Sequence, residues 1–596
     1  MVCTISVCSH VYGGSRFTDA IVWCIIVAMY IECVPNRNSP PAILLREGWR
    51  EGKKIRKRTL ANLSHWPEAK IEALRRVLKD HPLVPPEAAF LVEESLPHGH
   101  VEAVLGTIRR LGLDQMIASK PSPERSRVLA MIVQLLVYPS SKLGITRLWH
   151  TSTLAEELKV VDCDEDDLYE AMDWLVKRQS RIEKKLARRL LQPGDSVLYD
   201  VTSSYYEGST CGLGEFGYNR DEKRGKTSIF WGVMTDKSGR PVAVQVYSGN
   251  TGDLSTVADQ VAKLRRRFAL ERIVMVGDRG LLTQTQIDSL KQFPGVGWIS
   301  ALRFGSIRQL AEDNSVQPSL FDQRNLAEIR SDRFPDERLI VCFNPLLAEE
   351  RQRKRQDLLE ATEAALEKIV RQVGRRTRKL LDAQEIGQKV GKVIHRFKVR
   401  KHFELSIEDH HFSYRRNTES IEREAELDGI YIIRTSEPPS RLSAEDTVRS
   451  YKNLAVVEAL FRSIKGIDRL VRPIRHRDVC RVRAHFFLCL LAYYVRWHLQ
   501  KAWAPLLYQD EELEENRLQR DPVRPAQPSA SAQRKKRLRK TEDGLPLHSF
   551  DTLLVALQTR CQNRCRAKSL PDSPAFVQVT PPNPLQQRAL ELLTLL

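Results

Sequence analysis

The sequence predicts an α/β protein: a mixed sheet with helices, interrupted by a large insertion and preceded by a helical N-terminal domain. Three observations carry this prediction. Between about 195 and 302 the apolar pattern changes from a helical period to short β-rich runs separated by Gly, Asn and Asp. From about 303 to 427 that pattern stops and long charged helical stretches take over. It then returns at "GIYIIRTS", succeeded at once by a helix with one apolar face. At 596 residues the chain exceeds one ordinary domain and can bury several cores.

Residues 1–28 differ in composition from the rest of the chain. "AIVWCIIVAM" is apolar but about half the length a bilayer span needs. Only Arg16 precedes it as a positive charge, and no clear cleavage site comes after it. The expectation is a spurious extension, with translation starting at Met29. Residues 29–190 read as a strand-containing start and then a mostly helical domain, whose Arg-rich composition fits a DNA-binding domain, though no recognition helix stands out. Ser122 and Pro123 open one helix there, and the run Asp164 to Asp167 opens another as an N-cap rather than a metal cluster.

The sheet region, 195–302, contains "SVLYDVTSSYY", "TSIFWGVMTD", "PVAVQVYSG", "RIVMVGDRG" and "VGWISAL". "DKSGRP" reads as the hairpin turn between the second and third runs. Helices flank the fourth run, so the order is three strands by hairpin, then helix, strand, helix, strand. The insertion, 303–427, holds a long charged helix or helical pair and an alternating stretch, "FKVRKHFELSIEDHHFSYRR". Residues 428–505 resume the core with "YKNLAVVEALFRSIKG" and the apolar helix "VRAHFFLCLLAYYVRWHL", whose Arg483, His485 and Arg496 favour a buried helix over a membrane span. Residues 506–540 read as a Pro/Ser/Ala linker ending in a basic run, and 541–596 as a short tail.

Charged residues make up 28% of the chain and the net charge is +19, which points to a polyanionic partner, nucleic acid before an anionic membrane surface. The 11 cysteines are scattered and odd in number, so reduced, cytosolic thiols are expected rather than a disulfide framework. Cys561 and Cys565 have no second pair or nearby His to complete a zinc site. No Gly-rich phosphate loop occurs, so no nucleotide cofactor is implied. Ser203 and Ser204 lack a Gly-flanked nucleophile elbow.

Carboxylates break two apolar strands: Asp200 ends "VLYD" and Asp278 ends "IVMVGD". Each alone reads as a turn or cap residue. On the "YKNLAVVEALFRSIKG" helix, Leu454, Val457, Leu460, Phe461 and Ile464 share one arc at about 100° per residue. Tyr451, Glu458 and Lys465 form a polar row along its edge, with Arg462 one turn after Glu458. By itself that row reads as a solvated rim with an ion pair. If Glu458 joins Asp200 and Asp278, three converging carboxylates repel one another unless divalent cations neutralise them. Oxygen-only ligands favour Mg²⁺, with Mn²⁺ as a substitute. Such a set serves phosphodiester displacement.

In order and spacing these motifs resemble the insertion-sequence DDE transposases with a ribonuclease H-like core, in the group whose last block reads Tyr-x2-Arg-x3-Glu-x6-Lys. Tyr451, Glu458 and Lys465 stand at those spacings, with "DVTS" at Asp200 and "GDRG" at Asp278. "SGNTGD", Ser248 to Asp253, and "RVRAHFFLCLLAYY" belong to the same likeness. One departure is plain: Leu454 occupies the Arg position and falls with the apolar residues, leaving any phosphate contact of that Arg to Arg462 or Lys452, or absent.

The resemblance implies that Asp200, Asp278 and Glu458 are catalytic metal ligands, and that Tyr451, Arg462 and Lys465 contact DNA. The reaction it implies is cleavage at the ends of an insertion sequence, then strand transfer into target DNA. Its partners would be double-stranded terminal inverted repeats and target DNA, bound by a homodimer or larger assembly, in a bacterial cytoplasm and without a membrane. A metal-dependent nuclease without strand transfer, and an inactive DNA-binding remnant, are the alternatives.

Overall fold

The computed structural model describes residues 28–37, 39–51, 54–79, 89–217, 220–221, 223–252, 256–321, 324–375, 381–466, 471–568 and 574–596. The expectation for residues 1–28 therefore lies, but for Ala28, outside the described residues, as does Asp253 of "SGNTGD".

The chain divides into two compact units, residues 1–96 with 562–580, and residues 97–561 with 581–596. In the first, β1 (Ala28–Val34), β2 (Ala42–Glu51) and β3 (Lys54–Asn62) form an antiparallel meander, with a helix after it at Glu68–Val77. β4 (Phe90–Pro97) belongs to another three-stranded sheet. The helices from Gly99 to Leu190 lie in the second unit and share one buried core with the main sheet, through side chains such as Val104, Ile132, Trp149, Leu168 and Leu186. The helix Pro123–Val137 starts as its sequence signals, with Ser122 Oγ accepting from Arg125 N at 3.2 Å. Asp164 and Asp167 close a reciprocal capping box at the helix Glu165–Val176, so this acidic run is a cap.

The main sheet is built on β5 (Ser196–Tyr205), β6 (Ser228–Thr235), β7 (Pro241–Ser248), β8 (Ile273–Val276) and β9 (Val296–Ala301). β5–β6–β7 are joined antiparallel; β8 runs parallel to β5, and β9 parallel to β8. This gives the spatial order β7–β6–β5–β8–β9, a ribonuclease H-like sheet. The β6–β7 turn is held by Asp236, whose Oδ1 accepts from Ser238 N and Arg240 N. Gly239 takes φ 84° there, a conformation costly for other residues.

The insertion is not sheet-free, contrary to its sequence pattern. It contributes β10 (Leu326–Ile329) and β11 (Arg338–Phe343), and β14 (Ile430–Thr435) slots antiparallel between β11 and β9 to complete eight strands. The intervening hairpin, β12 (Phe403–Glu408) with β13 (His411–Arg416), packs with the helices Pro345–Val373 and Ala383–Phe397 around a small core of its own.

The remaining strands β15 (Cys561–Ala567) and β16 (Phe576–Val579) pair with each other, and β15 joins β4. The helix Val479–Ala502 is buried along most of its length, as its residues require. Among the described residues no single helix is long and apolar enough to cross a membrane.

The stretch 506–540, whose composition reads as a linker ending in a basic run, carries structure of its own. It contains helices at Leu513–Gln519 and Ala530–Leu538, and Val523 is fully buried in the main core. The helix Ala444–Lys452 grips this stretch by its backbone carbonyls: Lys452 Nζ donates to Val523 O at 2.9 Å, and Arg449 to Leu518 O at 3.0 Å. The tail is ordered too, with helices at Phe550–Gln558 and Pro584–Leu593.

Candidate active site

Strand register places the two aspartates. Leu198 of β5 lies opposite Val276 of β8, and each acid comes two residues later on its chain. Parallel neighbours are about 4.8 Å apart, so the two acids lie abreast, Asp200 within β5 and Asp278 just past the carboxyl end of β8. Asp200 is still within β5, half-buried, its Oδ1 accepting from Val201 N at 2.7 Å. Asp278 lies in the loop after β8 and is exposed; its Oδ1 accepts from Gly280 N at 3.0 Å and Leu281 N at 2.7 Å, which fixes the carboxylate.

The third acid comes from a helix that packs on β5. The sequence predicts one helix through this block; the structure breaks it at Asn453 into Ala444–Lys452 and Leu454–Lys465. Asn453 N bonds both Arg449 O and Ser450 O, a tightened turn that sequence periodicity does not register. Tyr451 therefore stands on the first helix, Glu458 and Lys465 on the second. Val457, Leu460, Phe461 and Ile464 are buried, and Leu454 packs partly buried against the same core, as the wheel requires. Glu458 projects outward, 63% exposed, with Arg462 at 3.8 Å.

The electrostatics tie the acids together. Burial pushes the Asp200 carboxyl up to about 7. The bond from Val201 N and the Arg220 guanidinium oppose that rise, while the charges of Asp278 and Glu458 add to it. Tyr451 is pushed up to about 12, by burial first and then by Asp278 and Glu458, against Arg279. Asp200 and Tyr451 thus each feel both other acids. Among the described residues no three His, Cys, Asp or Glu side chains close into a metal-holding cluster. The donor set nevertheless fits a hard divalent cation: all three are carboxylates, and the mutual repulsion at Asp200 is what a cation would relieve.

Lys465 is turned inward. Its ammonium donates to Thr202 Oγ1 at 2.6 Å, to Ser203 O and to Asp221 Oδ1 at 3.2 Å, and burial lowers its pKa. All three N–H groups are taken, so reaching a DNA phosphate would cost it these partners. The structure adds two residues that no sequence motif singles out. Asp221, whose side chain is 5% exposed, accepts from Tyr205 N and from Lys465, with Arg472 at 3.3 Å. Arg220 donates to Val201 O and lies by Asp200. Both sit in "NRDEKRGK", a charged run between strands that looks like a solvated loop. Of the two residues offered in place of the absent Arg, Lys452 faces Val523 O and Arg462 stays at the surface.

The profile of the family described as "Transposase DDE domain" matches residues 197–495, and that of "IS1634 family transposase, N-terminal domain" matches residues 31–83. No curated protein matches the chain. Among solved structures, one similar chain comes from a cryo-EM structure of a piggyBac transposase synaptic complex with hairpin DNA. It is 11% identical, with 75% of this chain and 85% of that chain covered, at a TM-score of 0.23.

Proposed function

Because this chain belongs to the transposase DDE domain family, and is an insertion-sequence DNA transposase by that membership, we propose that Asp200, Asp278 and Glu458 form its catalytic metal site. Enzymes of this family generally use divalent metal ions; the all-carboxylate donor set favours Mg²⁺ here, with Mn²⁺ as a substitute. The single observation behind this reading is the parallel register of β5 and β8, which brings Asp200 and Asp278, each two residues past the Leu198–Val276 pair, abreast, with the Glu458 helix packed on β5.

A divalent ion at such a set supplies activation of a water or 3′-hydroxyl and stabilisation of the departing 3′ oxygen. The chain's own residues do the rest. Asp200 gives up the proton it holds below about pH 7. The backbone amides of Gly280 and Leu281 hold Asp278 in one orientation. Lys465 and Asp221 tie the Glu458 helix to β5, and so set the height of Glu458 over the aspartates. Tyr451 and Arg462 line the side along which DNA runs; Lys465 joins them if it exchanges Asp221 for a phosphate.

In this reading the substrates are double-stranded terminal inverted repeats, then target DNA, engaged in the cytoplasm by a homodimer or larger assembly that bridges two ends. The test is a plasmid carrying the DNA that flanks the gene, incubated with protein and Mg²⁺, with EDTA, or with Glu458→Ala. Mg²⁺-dependent nicks at the element boundary, absent in the variant, support the assignment. Cutting that persists in Glu458→Ala refutes it, and nicks without joined products point to a nuclease without strand transfer.

A further inference from the structure

A second basic site lies in the same unit, away from the three carboxylates. The segment after the Glu458 helix runs beside the end of β5: Ile474 bridges to Tyr206, and Tyr206 Oη donates to the His476 carbonyl at 3.1 Å. Between this segment, the start of the helix Val479–Ala502 and the loop before the helix Lys142–Leu148 is a cavity of about 630 Å³. Lys142, Arg472, Arg475, Arg477 and Arg481 line it. The lone carboxylate in its wall, Asp478, is occupied in accepting from Cys480 N and Arg481 N.

Lys142 is the feature that demands an explanation. It is 4% exposed and, among the described residues, has no hydrogen-bond or ion-pair partner. A buried ammonium without a counter-charge is costly, and burial lowers its pKa. Its neighbours do not relieve it. His476 and His485 are both held neutral, mainly by burial, and His485 Nδ1 is buried without a partner. Arg475 and Arg477 are exposed at the cavity mouth and, among the described residues, have no acidic partner. Arg481 leans on the Tyr169 ring and reaches Asp173 at 3.3 Å, and Arg472 reaches Asp221 at 3.3 Å, so part of their charge is answered, which leaves Lys142, Arg475 and Arg477 as the excess. A wall with this excess of cations and one committed carboxylate is built for an anion.

We infer that this cavity is a phosphate-binding subsite for the DNA backbone, in which Lys142 meets a phosphodiester oxygen at the bottom and Arg475 and Arg477 guide the strand in. The inference rests on DNA being the partner of this chain. The geometry places the subsite next to the reaction centre's own scaffold: Arg472 lines the cavity and also donates to the Lys465 carbonyl, at the end of the Glu458 helix. A strand held here is thereby registered against the carboxylates through one short stretch of chain. The subsite thus binds and orients; it does not touch the reacting atoms.

The test pairs affinity with stability in the full chain. Lys142→Met keeps the length of the side chain and removes the charge, so in free protein it raises the thermal midpoint or leaves it unchanged. Binding to a short fluorescent duplex from the gene's flank is expected to weaken several-fold, with the slope of log affinity against log salt shallower by about one. Arg475→Ala with Arg477→Ala, at exposed positions, should weaken binding and flatten the slope in the same sense. Stabilisation of each variant by Mn²⁺ should match wild type, which separates this subsite from the carboxylates. Inorganic phosphate that protects wild type, but not Lys142→Met, against heat while failing to compete with duplex would mean a free-phosphate site and overturn the backbone assignment. Unchanged affinity and slope in the variants, with wild type binding duplex, would overturn it as well. Wild type failing to bind any duplex would instead sink the DNA reading on which it rests.

Discussion

Replacing Asp200 by Asn tests the electrostatics of the carboxylate site without touching its shape, since Asn can keep the acceptor for Val201 N. In the folded protein the Asp200 carboxyl is raised from 3.8 to about 7. A raised carboxylate binds its proton more tightly in the folded than in the unfolded chain. Its contribution is therefore favourable at low pH and is lost as pH rises from about 4 through about 7. A shift of roughly three units corresponds to about 4 kcal/mol. In EDTA, the stability of wild type relative to Asp200→Asn should fall by an amount of that order between about pH 4 and about pH 8.5. Urea unfolding monitored by circular dichroism at a series of pH values measures it. Mn²⁺ at the alkaline end should recover the loss in wild type and do nothing for the variant. A difference between the two proteins that stays flat with pH would refute the claim that Asp200 is pressed by burial and by its two acidic neighbours.

The same contacts set other outcomes. Metal affinity measured by calorimetry should weaken about tenfold per pH unit below about 7, because a proton must leave Asp200 first. Asp221→Ala leaves Lys465 and Arg472 facing each other without their shared carboxylate; a loss of about 3 kcal/mol in denaturant unfolding is expected, and a change within error would show that this network holds nothing. Val523→Ala, at a fully buried site in the 506–540 stretch, should cost about 1–3 kcal/mol, whereas a true linker residue would cost nothing measurable. Glu458→Gln should leave the unfolding midpoint in EDTA near that of wild type, because the side chain is exposed, while abolishing Mg²⁺-dependent nicking of the plasmid.

The strands of the central sheet are legible because each is a short apolar run closed by turn residues, and the buried helix Val479–Ala502 because its composition leaves it nowhere else to go. β10 and β11 are not. "LAEI" is four residues long, and "RLIVCF" sits beside a long charged helix that dominates any window around it. The 506–540 stretch is opaque for a different reason: its docking rests on backbone carbonyls that accept from Arg449 and Lys452, and a carbonyl has no residue type. At the site, the aspartates can be picked out as acids ending apolar strands, but their register cannot, since pairing is a property of two segments together. Asp221 leaves no signal at all. Its burial comes from Lys465 and Arg472 folding over it, from more than 240 residues downstream.

The position of β14 carries a consequence for how the chain is made. It pairs with β9, yet about 130 residues separate the two in sequence, and β11 on its other side is itself part of the intervening segment. As the polypeptide leaves the ribosome, β9 waits with a bare edge while the insertion is synthesised and folds around its own small core. Loop closure over that distance is slow, so completion of the sheet is a late event in folding. Glu458 arrives later still. A nascent or truncated chain can therefore hold both aspartates in place while the third carboxylate of the proposed site is still missing.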